Sequence, residues 1–186
     1  MMAGMSKAKS NIQSSAAKLD FPHGKINVLL VDGYNLLRAV QNLSEEMAGV
    51  TDAQICHIIS RYLTITKSRG AIIFDGIGPR DKSIFNNLAN LEVVFSGRNK
   101  EADDVIEKLV LINSAPRSMT VVSSDRRIKA AANRRKATAV NSIDFWLEML
   151  KIIDKKAKKK TEPPAKYLGI SESETEYWLR VFGLLK

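Results

Sequence analysis

A set of carboxylates stands where it could do chemistry. Asp32 closes the apolar run 26–31, and Asp75 closes a second run, 71–74. Glu101, Asp103 and Asp104 crowd together at the start of an apolar-periodic stretch, and Asp125 follows the run 119–122 after Ser123 and Ser124. Each has an ordinary explanation when taken alone. Asp32-Gly33 makes a turn, Asn35 caps a helix, Glu101, Asp103 and Asp104 complement a helix dipole, and Asp125 caps the helix behind it. Acids at the ends of four separate apolar runs are harder to explain by capping. Carboxylates gathered in one cleft repel one another and destabilise the fold unless neutralised. A hard divalent cation, Mg2+ or Mn2+, is the natural counter-charge. Such an ion keeps room for a phosphate oxygen, activates a water and stabilises a leaving oxygen. Arg80 and Lys82, Arg98 and Lys100, and Arg126 and Arg127 interleave with these acids, where they would bind the phosphates of a nucleic acid. Asp52, Asp81 and Asp144 fall elsewhere in the pattern and read as structural or surface residues.

The elements that must position these acids follow from hydrophobic spacing. Runs 26–31, 71–74, 91–95 and 119–122 read as buried strands, apolar on both faces, and 137–140 as a weaker fifth. Helical spacing appears over 36–43. It recurs over 51–68, with Thr51 as cap and Gly70 as stop, and in a short stretch, 83–90. Further helices are expected over 101–113, with Val105, Ile106, Leu109 and Ile112 facing the core, over 126–135, and over 143–153 behind a Ser142 cap. Strand alternating with helix predicts a parallel sheet with helices on both faces. All strand ends then point one way, so the acids should meet at the edge where open α/β sheets bind ligands.

The 186 residues suffice for one domain with extensions. We expect a disordered leader at 1–24, a catalytic domain at 25–153, a basic linker at 154–169 carrying the lysine run and Pro163-Pro164, and an amphipathic helix at 170–186. In that last helix Ser171 and Glu174 form a capping box ahead of Tyr177, Trp178, Val181 and Phe182. No apolar run is long enough for a bilayer span, and 1–20 lacks the apolar core of a secretory signal, so a cytoplasmic location is expected with no membrane partner. The single cysteine, Cys56, excludes an intrachain disulfide and reads as a buried hydrophobe. His23 and His57 offer poor material for histidine-centred catalysis. The formal net charge of +9 favours an anionic partner, nucleic acid or a ribosome surface.

The stretch 31–37, Val-Asp-Gly-Tyr-Asn-Leu-Leu, resembles the opening motif of NYN domains, a branch of the PIN-like ribonucleases. The stretch 101–106, Glu-Ala-Asp-Asp-Val-Ile, resembles their second acidic motif, and Ser123-Ser124-Asp125 the third. Order and spacing are most similar to the YacP-like NYN subgroup, over roughly 25–150. The resemblance implies a three-layer α/β/α PIN-like domain with a mainly parallel sheet of about five strands. It implies an endoribonuclease that uses Mg2+ or Mn2+ to hydrolyse RNA phosphodiesters, with an association with ribosomes and messenger RNA cleavage. Asp32, Asp103 and Asp125 match the metal-binding acids, and Asn35 the asparagine that supports the first aspartate. Asp75 and Glu101 match additional ligands or water-orienting groups, and Asp104 joins the candidate catalytic set. The alternative is an RNA- or ribosome-binding module with little turnover. A haloacid-dehalogenase-like phosphatase would need a second aspartate at position 34, which is Tyr34, and dinucleotide binding would need a Gly-rich turn that 32–35 does not supply. Oligomeric state, RNA target and the number of metal ions stay open.

Overall fold

A computed structural model describes residues 27–161 of the chain. Five strands, β1 (Val28–Asp32), β2 (Arg69–Phe74), β3 (Leu91–Phe95), β4 (Met119–Val122) and β5 (Thr138–Val140), form one sheet in the order β3-β2-β1-β4-β5. Every pairing is parallel. The helices are α1 (Gly33–Gln41), α2 (Asp52–Thr66), α3 (Ala102–Ile112), α4 (Arg126–Arg134) and α5 (Ser142–Thr161).

The central strand explains the layering. β1 is buried along its whole length, and its residues alternate between two cores. Leu29 and Val31 pack with Leu36 and Val40 of α1, Ile55, Ile59 and Leu63 of α2, and Phe145, Trp146 and Met149 of α5. Val28 and Leu30 pack on the opposite face with Val105, Ile106 and Leu109 of α3 and Ile128 and Ala132 of α4. The result is the expected three-layer α/β/α arrangement. From β1 the chain moves outward through β2 and β3, then crosses back to lay β4 on the other side of β1. The strand order therefore reverses between β1 and β4, and the crevice in which open α/β sheets bind ligands belongs to such a reversal, beyond the carboxyl ends of the strands. Glycine is required where α1 leaves β1: a Cβ on Gly33 would lie 2.4 Å from Phe74 Cδ1 and 2.8 Å from the Ile73 carbonyl.

Several local expectations change. α1 starts at Gly33, directly behind β1. α2 stops at Lys67, which adopts a left-handed φ of 54°, and Gly70 lies inside β2, where a Cβ would meet the Leu29 carbonyl at 2.7 Å. Of the expected helix 83–90 only a 3-10 turn, Ser83–Phe85, forms. Along α3 the buried stripe takes Ala102 and Val110, and Ile112 is 60% exposed. α5 runs through the start of the lysine-rich stretch to Thr161 instead of ending near Ile153, because lysine is a good helix former and no breaker precedes Pro163. The expected leader and the C-terminal helix around Trp178 lie outside the described residues, as does the linker beyond 161. Among the described residues no helix is long and apolar enough to cross a membrane. Cys56 is fully buried, and burial pushes its thiol well above the ordinary range.

Candidate active site

Asp32 is the last residue of β1 and caps α1, its Oδ1 accepting the Asn35 N–H at 3.2 Å. Its Oδ2 accepts the Ser123 hydroxyl at 2.9 Å. Ser123, fully buried just past β4, also accepts the Asp125 N–H at 3.0 Å, so one hydroxyl links the first and third acids. Asp125 caps α4 by accepting the Arg127 N–H at 2.6 Å and the Ile128 N–H at 3.3 Å. Asp75, exposed one residue past β2, reaches across to α3: its Oδ1 accepts the Ala102 N–H at 2.6 Å. Glu101 holds the N-cap position of α3 but makes no side-chain cap bond, so Asp75 serves in its place. Local capping therefore does occur at three of these acids, and it holds them at the carboxyl end of the sheet.

Asp103, in the first turn of α3, is half-buried and accepts no hydrogen bond from any described residue. Burial pushes its carboxyl up to about 6, and the charges of Asp32, Asp125 and Asp75 push the same way, against a smaller opposite pull from Arg127. Asp32 is raised as well. Burial is the main cause, hydrogen bonds from Ser123 and Asn35 pull it back, and Asp75 and Asp125 add repulsion. Asp32, Asp75, Asp103 and Asp125 thus form one mutually repelling cluster at the switch point. Their hard oxygen donors suit a divalent cation in kind. Among the described residues, however, no trio of His, Cys, Asp or Glu side chains is arranged so that it could hold a metal ion.

The other candidates lie around this cluster. Asp104 and Glu101 face Arg127, whose guanidinium lies 2.6 Å from Asp104 and 4.0 Å from Glu101, and 2.9 Å from Glu107. Arg127 is thus engaged with acids, in contrast to the phosphate role expected for it. Arg80, Lys82, Arg98, Lys100 and Arg126 are exposed. Lys82 Nζ lies 5.3 Å from the centroid of the Phe95 ring, a cation–π contact. Asp52 and Asp81 make local bonds to Ala53 and Ser83, and Asp144 accepts from Asn141, as structural residues would.

Asn35 contacts Asp32 through its backbone only. Its side-chain oxygen accepts the Ser124 N–H at 3.0 Å and the Ser142 hydroxyl at 2.6 Å. Ser142, fully buried at the start of α5, was expected only as a helix cap. Sequence reasoning missed its place beside the site, and no local signal could have supplied it.

The family model for the YacP-like NYN domain matches residues 29–178. The chain belongs to the YacP-like NYN domain family. It is 27% identical over 157 residues to a Bacillus subtilis (strain 168) protein described as "Uncharacterized protein YacP", a match covering 79% of this chain and 91% of that protein. Crystal structures of Bacillus subtilis Rae1 (YacP) share the fold. A tryptophan-to-leucine mutant of it matches with a TM-score of 0.55 at 24% identity, covering 83% of this chain and 92% of that one. A second Rae1 (YacP) structure matches with a TM-score of 0.57 at 22% identity, covering 86% and 89%. The family, the parallel five-stranded sheet and the PIN-like fold agree with the resemblance carried by the three acidic motifs.

Proposed function

We propose that this NYN domain is a metal-dependent endoribonuclease, hydrolysing RNA phosphodiesters at the β1–β4 crevice. The observation that carries the reading is Asp103. It is a half-buried carboxyl pushed up to about 6, without a hydrogen-bond partner among the described residues, facing the charges of three more aspartates. Such a group is poorly suited to holding the fold together and well suited to receiving a cation.

Asp32, Asp103 and Asp125 would hold Mg2+ or Mn2+. The bound ion supplies Lewis-acid stabilisation of the phosphate and lowers the pKa of an attacking water. The chain's own part is placement. Ser123 and the Asn35 N–H orient Asp32, capping orients Asp125, and Asp75 fixes the end of α3 that carries Asp103. Arg80, Lys82, Arg98, Lys100 and Arg126 would bind flanking phosphates, which is a sequence-independent contribution. The products are a 5′-phosphate and a 3′-hydroxyl, so the 2′-hydroxyl takes no part, and an accessible single strand is the preferred substrate. A net charge of +9 favours an anionic partner, and we infer that this is RNA presented on a ribosome in the cytoplasm.

The test is cleavage of labelled single-stranded RNA in Mg2+, Mn2+ or EDTA, with Asp103→Asn and Asp125→Asn alongside. Metal-dependent cleavage should fall by on the order of 10²-fold or more in each variant, the scale of losing a charged group that acts in the transition state. Cleavage surviving EDTA or both substitutions would overturn the reading. RNA bound without cleavage, on free RNA and on translating ribosomes alike, would favour the binding module instead.

A further inference from the structure

The orientation of the Asn35 amide is fixed by chemistry. A backbone N–H can only donate, so the group facing Ser124 N at 3.0 Å must be the carbonyl oxygen Oδ1. The Ser142 hydroxyl fills the second acceptor position of that oxygen at 2.6 Å. With both acceptor positions used, Oδ1 has nothing left for a cation. The Nδ2 group is turned away from Ser124 and Ser142, and its two N–H donors meet no acceptor among the described residues. Asn35 sits in the first turn of α1, held next to the Asp32 carboxylate by its own backbone N–H. The anchors are firm: Ser142 is fully buried, and its N–H donates in turn to Ser124 Oγ at 3.3 Å.

We propose that Asn35 is a substrate-contacting residue, whose Nδ2 donates to a non-bridging phosphate oxygen of the RNA strand lying at the carboxylate cluster. This rests on the nuclease reading and deepens it. A cleft lined by Asp32, Asp75, Asp103 and Asp125 repels the phosphodiester it must admit. A neutral donor on the residue whose backbone N–H is bonded to Asp32 answers part of that repulsion without competing for the cation, as a lysine or arginine would. Because its oxygen is anchored on two sides, the donor needs no reorganisation when the phosphate arrives, which is the condition under which such a bond assists the reaction most.

The experiment uses the full chain, 15N-labelled, with a short single-stranded RNA. Calcium replaces magnesium so that the strand is held by oxygen ligands in a looser shell. The Asn35 side-chain amide resonances are identified by their loss in Asn35→Asp. On adding RNA they should move downfield, as donors entering a hydrogen bond do. Asn35→Asp keeps an acceptor for Ser124 and Ser142 but adds a charge beside Asp32, so it should melt lower in EDTA and near the wild type with the divalent ion bound. At saturating Mg2+ or Mn2+ it should cleave on the order of 10²-fold more slowly, with KM raised, even though the added carboxylate beside Asp32 lowers the metal half-saturation point. Asn35→Ala should lose activity to a similar extent and melt lower. Amide resonances that ignore RNA in a wild type that does cleave would overturn the assignment, as would an Asn35→Asp enzyme with wild-type kinetics. A wild type that cleaves no RNA with any metal is a separate outcome: it removes the nuclease reading itself, and this role with it.

Discussion

On the β1–β4 side of the crevice, Asp32 is 6% exposed and tied to Ser123 and the Asn35 N–H, with Ser123 and Ser142 fully buried around it. On the α3–α4 side, Asp103 is half-buried without a hydrogen bond from the described residues, and its neighbours Asp104 and Glu101 are exposed around Arg127, itself 50% exposed. One flank is positioned by short-range hydrogen bonds out of water, the other by ions in water. Hydrogen bonds held out of water fix geometry and respond little to salt. Exposed ion pairs contribute little to stability and are screened. A nuclease of the kind proposed, which would hold one acid still while leaving another free to gain a cation, would have a use for both.

The comparison breaks most visibly at Ser123. Ser123→Ala removes the donor to Asp32 Oδ2 and leaves the Asp125 N–H without its acceptor. Losing bonds to a buried carboxylate should cost about 1–3 kcal/mol, read as a lower melting temperature that is the same in low and high salt. Ser123 holds the Asp32 carboxyl down against its burial, so in the variant Asp32 should titrate higher still. A loss of stability that disappears in high salt would mean that this flank is electrostatic after all.

Asp103 should behave in the opposite sense. Its folded carboxyl is raised from 3.8 to about 6, so its contribution to stability is fully present below about pH 4 and is lost as pH rises towards 6. In metal-free buffer at pH 7.5, Asp103→Asn should therefore stabilise the domain, by about 1 kcal/mol or less once solvent screening is discounted. Near pH 4 it should do nothing. Melting curves with EDTA at the two pH values read the difference. A variant less stable than the wild type at pH 7.5 would show that Asp103 supports the fold. In the wild type at sub-saturating metal, cleavage should fall as pH drops through about 6, where the proton competes with the cation for this carboxyl, and excess metal should move the fall to lower pH.

The acids could be read from the sequence because each closes a strand or opens a helix, and a parallel sheet brings such ends to one edge. What local spacing could not reveal was pairing across the chain. The Ser142 hydroxyl meets Asn35 over a separation of 107 residues, and Arg127 meets Glu107 and Asp104 over 20 and 23. Beside Asp125 a basic residue reads as a phosphate binder until the fold sets α3 next to it. Where two apolar residues lie close on one helix, periodicity also chose badly, since Val110 packs in the core of α3 while Ile112 is left exposed. Tertiary packing decides between neighbours that spacing alone treats alike.

Arg127→Gln is the mildest change and the one that best separates the two flanks. The guanidinium is half-exposed, so melting should shift little at low salt and not at all in high salt. Its effect should appear in titration. Among the described residues whose charges act on Asp103, Arg127 is the cation, and it holds that carboxyl down. Without it Asp103 keeps its proton to higher pH, and at sub-saturating metal the acid limb of the pH–rate profile should move above the wild-type position. The same substitution frees Asp104, Glu101 and Glu107 to add negative charge beside the cluster. Once the pH is high enough to ionise Asp103, the metal should therefore half-saturate at a lower concentration. Both shifts should shrink as salt is added. An acid limb that stays in place, or one that moves equally at every ionic strength, would show that Arg127 acts through the packing of α3 against α4 and not through its charge.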